Sequence, residues 1–245
     1  MKKQLLVAVA AGLIGTSAMA QSAFEGFYGQ VATGYENNSI SSPGLTTQDT
    51  GKSANSWNAS NQSFGGAPIV LGLGYNFVVA PQWLLGLGAD YSVLSQTSST
   101  FSSTNPNAGS GTAGGTLTGQ TYKVSNRYNI FVAPGYSINK DKLVYLKAGY
   151  SSVSLTANSP TQYIDNGDST QNSSIASGSK SQTLSGYIVG LGYKQMIADG
   201  FYGFAEGNYM SYSKANFSST SDGTTLSANP SLNSYQFLVG LGYKF

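Results

Sequence analysis

Past residue 20, large apolar side chains recur on every second position, with small or polar ones between them. A period of two is the signature of β-strands. Eight such stretches can be read. The first sets Phe27, Val31, Thr33 and Tyr35 against Gln30, Ala32, Gly34 and Glu36. The second sets Ile69, Leu71, Leu73, Tyr75 and Phe77 against Val70, Gly72, Gly74 and Asn76. The third sets Trp83, Leu85, Leu87, Ala89 and Tyr91 against Leu84, Gly86, Gly88 and Asp90. The fourth runs Tyr128, Ile130, Val132, Pro134 and Tyr136 against Arg127, Asn129, Phe131, Ala133 and Gly135. The fifth has Val144, Leu146, Ala148 and Tyr150 backed by Tyr145, Lys147 and Gly149. The sixth has Tyr187, Val189, Leu191 and Tyr193 backed by Ile188, Gly190 and Gly192. The seventh is the weakest, with Phe201, Ala205 and Tyr209 opposite Tyr202, Phe204, Glu206 and Asn208. The eighth, Tyr235, Phe237, Val239, Leu241, Tyr243 and Phe245, ends the chain.

The connections alternate in length. Segments near 37–67, 94–123, 153–183 and 213–233 are long and rich in Ser, Thr, Asn and Gly, while those near 78–82, 138–142 and 195–200 are short. This alternation predicts an all-β fold, an eight-stranded antiparallel up-and-down barrel with both chain ends on the short-turn side. Residues 95–121 carry no charge and read as a polar stretch that cannot build a core of its own. Pro134 removes a ladder donor from a sheet without edges, which predicts a bulge there.

The distribution of charge decides which solvent meets the apolar face. A soluble barrel or a secreted β-sandwich shows charge outside. Here the apolar face carries none, whereas Glu36, Asp90, Arg127, Lys147 and Glu206 all fall on the other face. Aromatics also recur eight residues apart on the apolar face, in Phe27/Tyr35, Trp83/Tyr91, Tyr128/Tyr136, Phe201/Tyr209 and Tyr235/Tyr243, with Tyr187/Tyr193 a six-residue version. Eight steps of about 3.3 Å, tilted near 40°, rise roughly 20 Å, close to the apolar band of about 25 Å between the aromatic girdles of an outer-membrane barrel. Tyr35, Tyr91, Tyr128, Tyr150, Tyr209 and Tyr235 are assigned to one girdle, and Tyr75, Trp83, Tyr136 and Tyr193 to the other. The predicted solvent is lipid, so the barrel is transmembrane.

Composition agrees with export and narrows the chemistry. Lys2 and Lys3, the apolar run Leu5–Gly15 and Ala18-Met19-Ala20 form a secretory signal peptide over residues 1–20, leaving 21–245 as the barrel. Charged residues are 9% of 245, against roughly 25% in a soluble domain. Without Lys2 and Lys3 the basic and acidic residues balance, which gives no reason to expect nucleic acid as a partner. Cys and His are absent, so disulfides, imidazole bases and thiolate or imidazole metal sites are excluded. No metal or other cofactor is expected.

The tetrapeptide Gly-Leu-Gly-Tyr recurs at 72–75, 190–193 and 240–243. Its glycines point inward at the depth where Tyr28, Leu84, Tyr145, Tyr202 and Phe204 come in from the neighbouring strands. The short-turn half of the lumen is therefore expected to be plugged by rings beside glycines, and the half nearer the loops to be a polar cup. The inward charges could supply acid–base chemistry through Asp90 and Glu206, but an internal ion network accounts for all five. Lys194 and Lys244 are expected at the short-turn rim as interfacial anchors.

The signal segment, the eight amphipathic stretches, the Gly-Tyr repeats and the terminal alternation resemble the small outer-membrane β-barrel proteins of Gram-negative bacteria. These include the opacity-type surface proteins and the barrel domain of outer membrane protein A. The resemblance covers residues 21–245. It implies an outer-membrane location and contact with lipid and lipopolysaccharide. It also implies that Phe237, Val239, Leu241, Tyr243 and Phe245 form the signal read by the barrel assembly machinery. The expected function is a monomeric, non-enzymatic surface barrel with a structural or adhesion-type role, its loops open to host surfaces or phage. The alternative is a narrow porin-like channel for small solutes.

Overall fold

The computed structural model describes residues 22–41, 44–51, 53–105, 116–164, 173–175, 177–221 and 223–245. The segment read as a signal peptide lies outside them, as do parts of all four long connections. The principal strands are β1 (Gly26–Ile40), β2 (Ile69–Ala80), β3 (Trp83–Ser92), β4 (Thr116–Asn139), β5 (Lys142–Ser159), β6 (Gly178–Ala198), β7 (Phe201–Tyr212) and β8 (Leu232–Lys244). Each pairs antiparallel with the next. β8 then pairs with β1 from Tyr28–Lys244 to Ile40–Leu232, so the order closes into a ring. Closure gives every principal strand two partners and removes the edges along which other chains could add.

Between the two rows of aromatics the outward face is apolar and uncovered. Leu73, Leu191, Phe237, Val239 and Leu241 are all exposed there, and the inward side chains of the same strands are buried. No soluble domain presents such a belt, whereas lipid matches it.

Three strands run well past this belt. β4 has 24 residues, β6 has 21 and β5 has 18, against the roughly 9–11 that cross a bilayer. The segments expected as loops near 116–123, 153–159 and 178–183 are thus continuations of β4, β5 and β6 above the outer girdle. Here the dressing of the strands inverts. Above the membrane the outer face meets water, and apolar side chains turn inward: Tyr122 and Val124 from β4, Val153 and Leu155 from β5, Leu184 from β6, Leu232 from β8.

The connections pack onto this upper barrel. Gln62–Gly66 pairs with the top of β1, and Phe101–Thr104 with the top of β4. A separate four-stranded sheet joins the first and last long connections through Thr46–Asp49 and Thr224–Ala228, flanked by Asn55–Ser56 and Phe217–Ser221. Leu117, inside the uncharged stretch, is fully buried and clusters with Leu45 and Trp57. That stretch therefore shares a core with its neighbours.

The bulge expected at Pro134 lies elsewhere. Pro134 pairs in register with Leu85, and the β4–β5 register is the same at Val132–Ala148 as at Gly135–Tyr145. The ladder tolerates the missing donor without an inserted residue. Of the two β4–β5 register shifts, one lies beside the short turn, between Ser137 and Asn139, and the other between Ser125 and Tyr128, where Asn126 takes a left-handed φ of 51°. The extra residue there turns Arg127 into the lumen.

Candidate functional site

The lumen is filled at three levels. At the short-turn end, inward rings lie over the glycine opposite them in the neighbouring strand. Tyr28 pairs with Gly74, Phe131 with Gly88, Tyr145 with Gly192, Phe204 with Gly240 and Tyr202 with Gly242. At each of these glycines an added Cβ would collide with the partner ring. The ring takes the volume that the glycine leaves, which is how a narrow barrel fits bulky side chains at one depth. From below, the segment before β1 turns under the barrel at Gly26, whose φ is +114°. It seats Phe24 edge-on to Tyr202, with ring centroids 6.2 Å apart, and Asn76 Nδ2 donates to the Phe24 carbonyl at 2.8 Å.

The five inward charges occupy the middle level, in two groups. Arg127 forms an ion pair with Glu36. It also donates to Asn38 Oδ1 at 2.8 Å, Ser234 Oγ at 2.9 Å and the Tyr212 hydroxyl at 3.0 Å. Glu36 accepts in addition from Gln236 at 2.6 Å and Asn38 at 2.8 Å. In the second group Lys147 Nζ bridges Asp90 at 2.7 Å and Glu206 at 2.9 Å. Tyr145 donates to the other Glu206 oxygen at 2.6 Å, Asn208 to Glu206 at 2.7 Å, and Asn129 to Asp90 at 2.5 Å. Asp90 and Glu206 are thus tied to one ammonium and saturated with donors. Their arrangement is that of a structural network and offers neither carboxylate as a free proton acceptor.

Lys194 departs from the rim position expected of it. It is buried, with Nζ 4.0 Å from the Tyr28 ring centroid, 4.8 Å from Tyr202 and 5.3 Å from Tyr145. Three ring faces replace water around this cation. With it, the inward acids Glu36, Asp90 and Glu206 are matched by Arg127, Lys147 and Lys194. The signal was present in the sequence, because Lys194 continues the inward parity of Gly190 and Gly192.

The third level overturns the polar cup. Ile40, Phe64, Tyr122, Val124, Val153, Leu155, Leu184, Ile188, Met210, Tyr212, Ala215 and Leu232 form one buried cluster across the loop half of the barrel. Each long connection or strand end contributes only one or two of these, so no single segment looks like core.

The remaining sequence-derived positions lie outside the lumen. Tyr35, Tyr91, Tyr128, Tyr150 and Tyr235 are exposed near one end of the belt, with Tyr209 beside Tyr235 at 4.9 Å. Trp83, Tyr136 and Tyr193 are exposed near the other end, where Tyr75 packs edge-on to Phe27 at 4.6 Å. Phe237, Val239, Leu241, Tyr243 and Phe245 line the lipid face of β8. The Phe245 backbone N–H donates to the Phe27 carbonyl at 2.9 Å.

The fold is similar to that of solved outer-membrane proteins. OprG from Pseudomonas aeruginosa is 13% identical, with a TM-score of 0.51, covering 93% of this chain and 99% of its own. The outer membrane protease OmpT from Escherichia coli is 10% identical, with a TM-score of 0.50 and the same coverage. At such identities the likeness concerns the fold alone. No curated protein matches the chain. The sequence model of the outer membrane protein beta-barrel domain matches residues 6–245. A ring of strands with a lipid-facing belt and a matching family model across nearly the whole chain lead to one conclusion: this protein belongs to the outer membrane protein beta-barrel family.

Proposed function

We propose that the protein is a non-conducting, non-enzymatic surface barrel, whose role is carried by the structured crown of strands above the membrane. The observation that carries this reading is the filling of the lumen at three depths: rings over glycines, paired charges, and an apolar cluster. A channel would need all three to move. The crown supports the interaction role, because its strands and cap sheet hold the described parts of the long connections as a defined surface toward the outside. Residues 1–20 serve export and are removed.

Planar-bilayer recording tests the closed lumen. Wild-type protein should conduct at background. The double variant Tyr145→Ala, Phe204→Ala should also stay near background, because it empties only the short-turn level. Steady single-channel openings in the wild type would replace this reading with the porin-like one.

A further inference from the structure

We propose that a cleft in the crown binds a small aromatic carboxylate, with the ring in the cleft and the carboxylate at its mouth. The cleft has a volume of about 110 Å³ and lies between the top of β4, β5 and β6 and the free edge of the Phe217–Ser221 strand. A dry cavity of about 150 Å³ accepts benzene, so this one is on the scale of a single ring.

Its chemistry is divided. Phe101 and Tyr122 line it as a stacked pair, with centroids 5.1 Å apart and planes 18° from parallel. Phe217 and Leu226 add apolar wall. Such a surface favours a flat ring over water. Two donors with no side-chain acceptor among the described residues border the same space. Lys180 is exposed where it lines the cleft and forms no salt bridge among the described residues. Tyr122 is only 5% exposed, and its hydroxyl makes no hydrogen bond among them. Burial pushes that hydroxyl up to about 12, so it remains a protonated donor at any physiological pH. A carboxylate at the mouth accepts from the hydroxyl and pairs with the ammonium at once. A neutral ring would satisfy the stack alone, and an inorganic anion the donors alone.

The site lies above the filled lumen, so it does not depend on whether the barrel conducts. Calorimetric titration of the refolded full chain with benzoate, benzyl alcohol and hexanoate tests it. Benzoate should bind, and the other two should bind at least about tenfold more weakly, the factor expected for losing one charge-assisted bond or the stack. Lys180→Met should weaken benzoate by about the same factor and leave benzyl alcohol unchanged. Ser219→Phe, which narrows the cleft, should abolish binding of all three while the variant still runs faster on a gel unheated than boiled, as a folded barrel does. No heat with benzoate, equal affinity for benzoate and hexanoate, or an unaltered Lys180→Met would each overturn the proposal.

Discussion

Lys147 and Lys194 are two buried lysines held by different means, paired acids in one case and ring faces in the other. The difference has a measurable consequence. Replacing Lys147 by Met leaves Asp90 and Glu206 facing each other without a cation, and breaking a buried pair in this way costs roughly 3–5 kcal/mol. Lys194→Met strands no directly paired carboxylate, and methionine sulfur also packs well on rings, so the loss should be about 1–2 kcal/mol. Urea unfolding in lipid vesicles measures both. The triple variant Lys147→Met, Asp90→Asn, Glu206→Gln should recover most of the first loss. Equal penalties for the two lysines would mean that the ion bridge does not hold the middle level together.

Along each strand, the face assignments inside the membrane were legible from the alternation alone, because lipid on one side and a narrow lumen on the other impose opposite demands at every step. Inward Arg127, Lys147 and Glu206 follow directly from it. The crown was not legible, since in water the demand reverses and the outward positions become Ser, Thr and Lys, as in a loop. Val153 and Leu155 keep the inward parity of Tyr145, Lys147 and Gly149, but they switch from polar lumen to apolar core without any break in the count. The bulge near Asn126 hid the same continuity in β4 by shifting the parity of Tyr122 and Val124. The pairing of rings with glycines was visible as composition, and the register shows it as contact. Gly242→Ala should therefore destabilise by about 1–3 kcal/mol through overpacking against Tyr202, and adding Tyr202→Ala should make the combined loss smaller than the sum. Strict additivity in a double-mutant cycle would show that ring and glycine do not share that space.

For the molecule as a whole, Phe245 has two candidate duties. Its N–H closes β8 onto β1, and its ring stacks edge-on to Tyr243 at 5.1 Å. It also ends the alternation that the assembly machinery is proposed to read. Deleting Phe245 should sharply lower the amount of barrel in the outer membrane of cells, yet barely change refolding into detergent, where no machinery takes part. Equal losses in both settings would assign it to packing alone.

The reversal of dressing at the outer girdle also fixes how deep the barrel floats. Below that line a lipid chain meets Leu, Val and Ile. Five residues beyond Tyr128 and Tyr209 of that girdle, Lys123 and Lys214 are exposed. The molecule thus has a waterline. Sliding outward would lift apolar belt into water, and sliding inward would sink ammonium groups into hydrocarbon. A change in bilayer thickness cannot be absorbed by riding higher or lower, so the surrounding lipid must stretch or thin to meet the protein. The barrel is a ruler for the membrane around it.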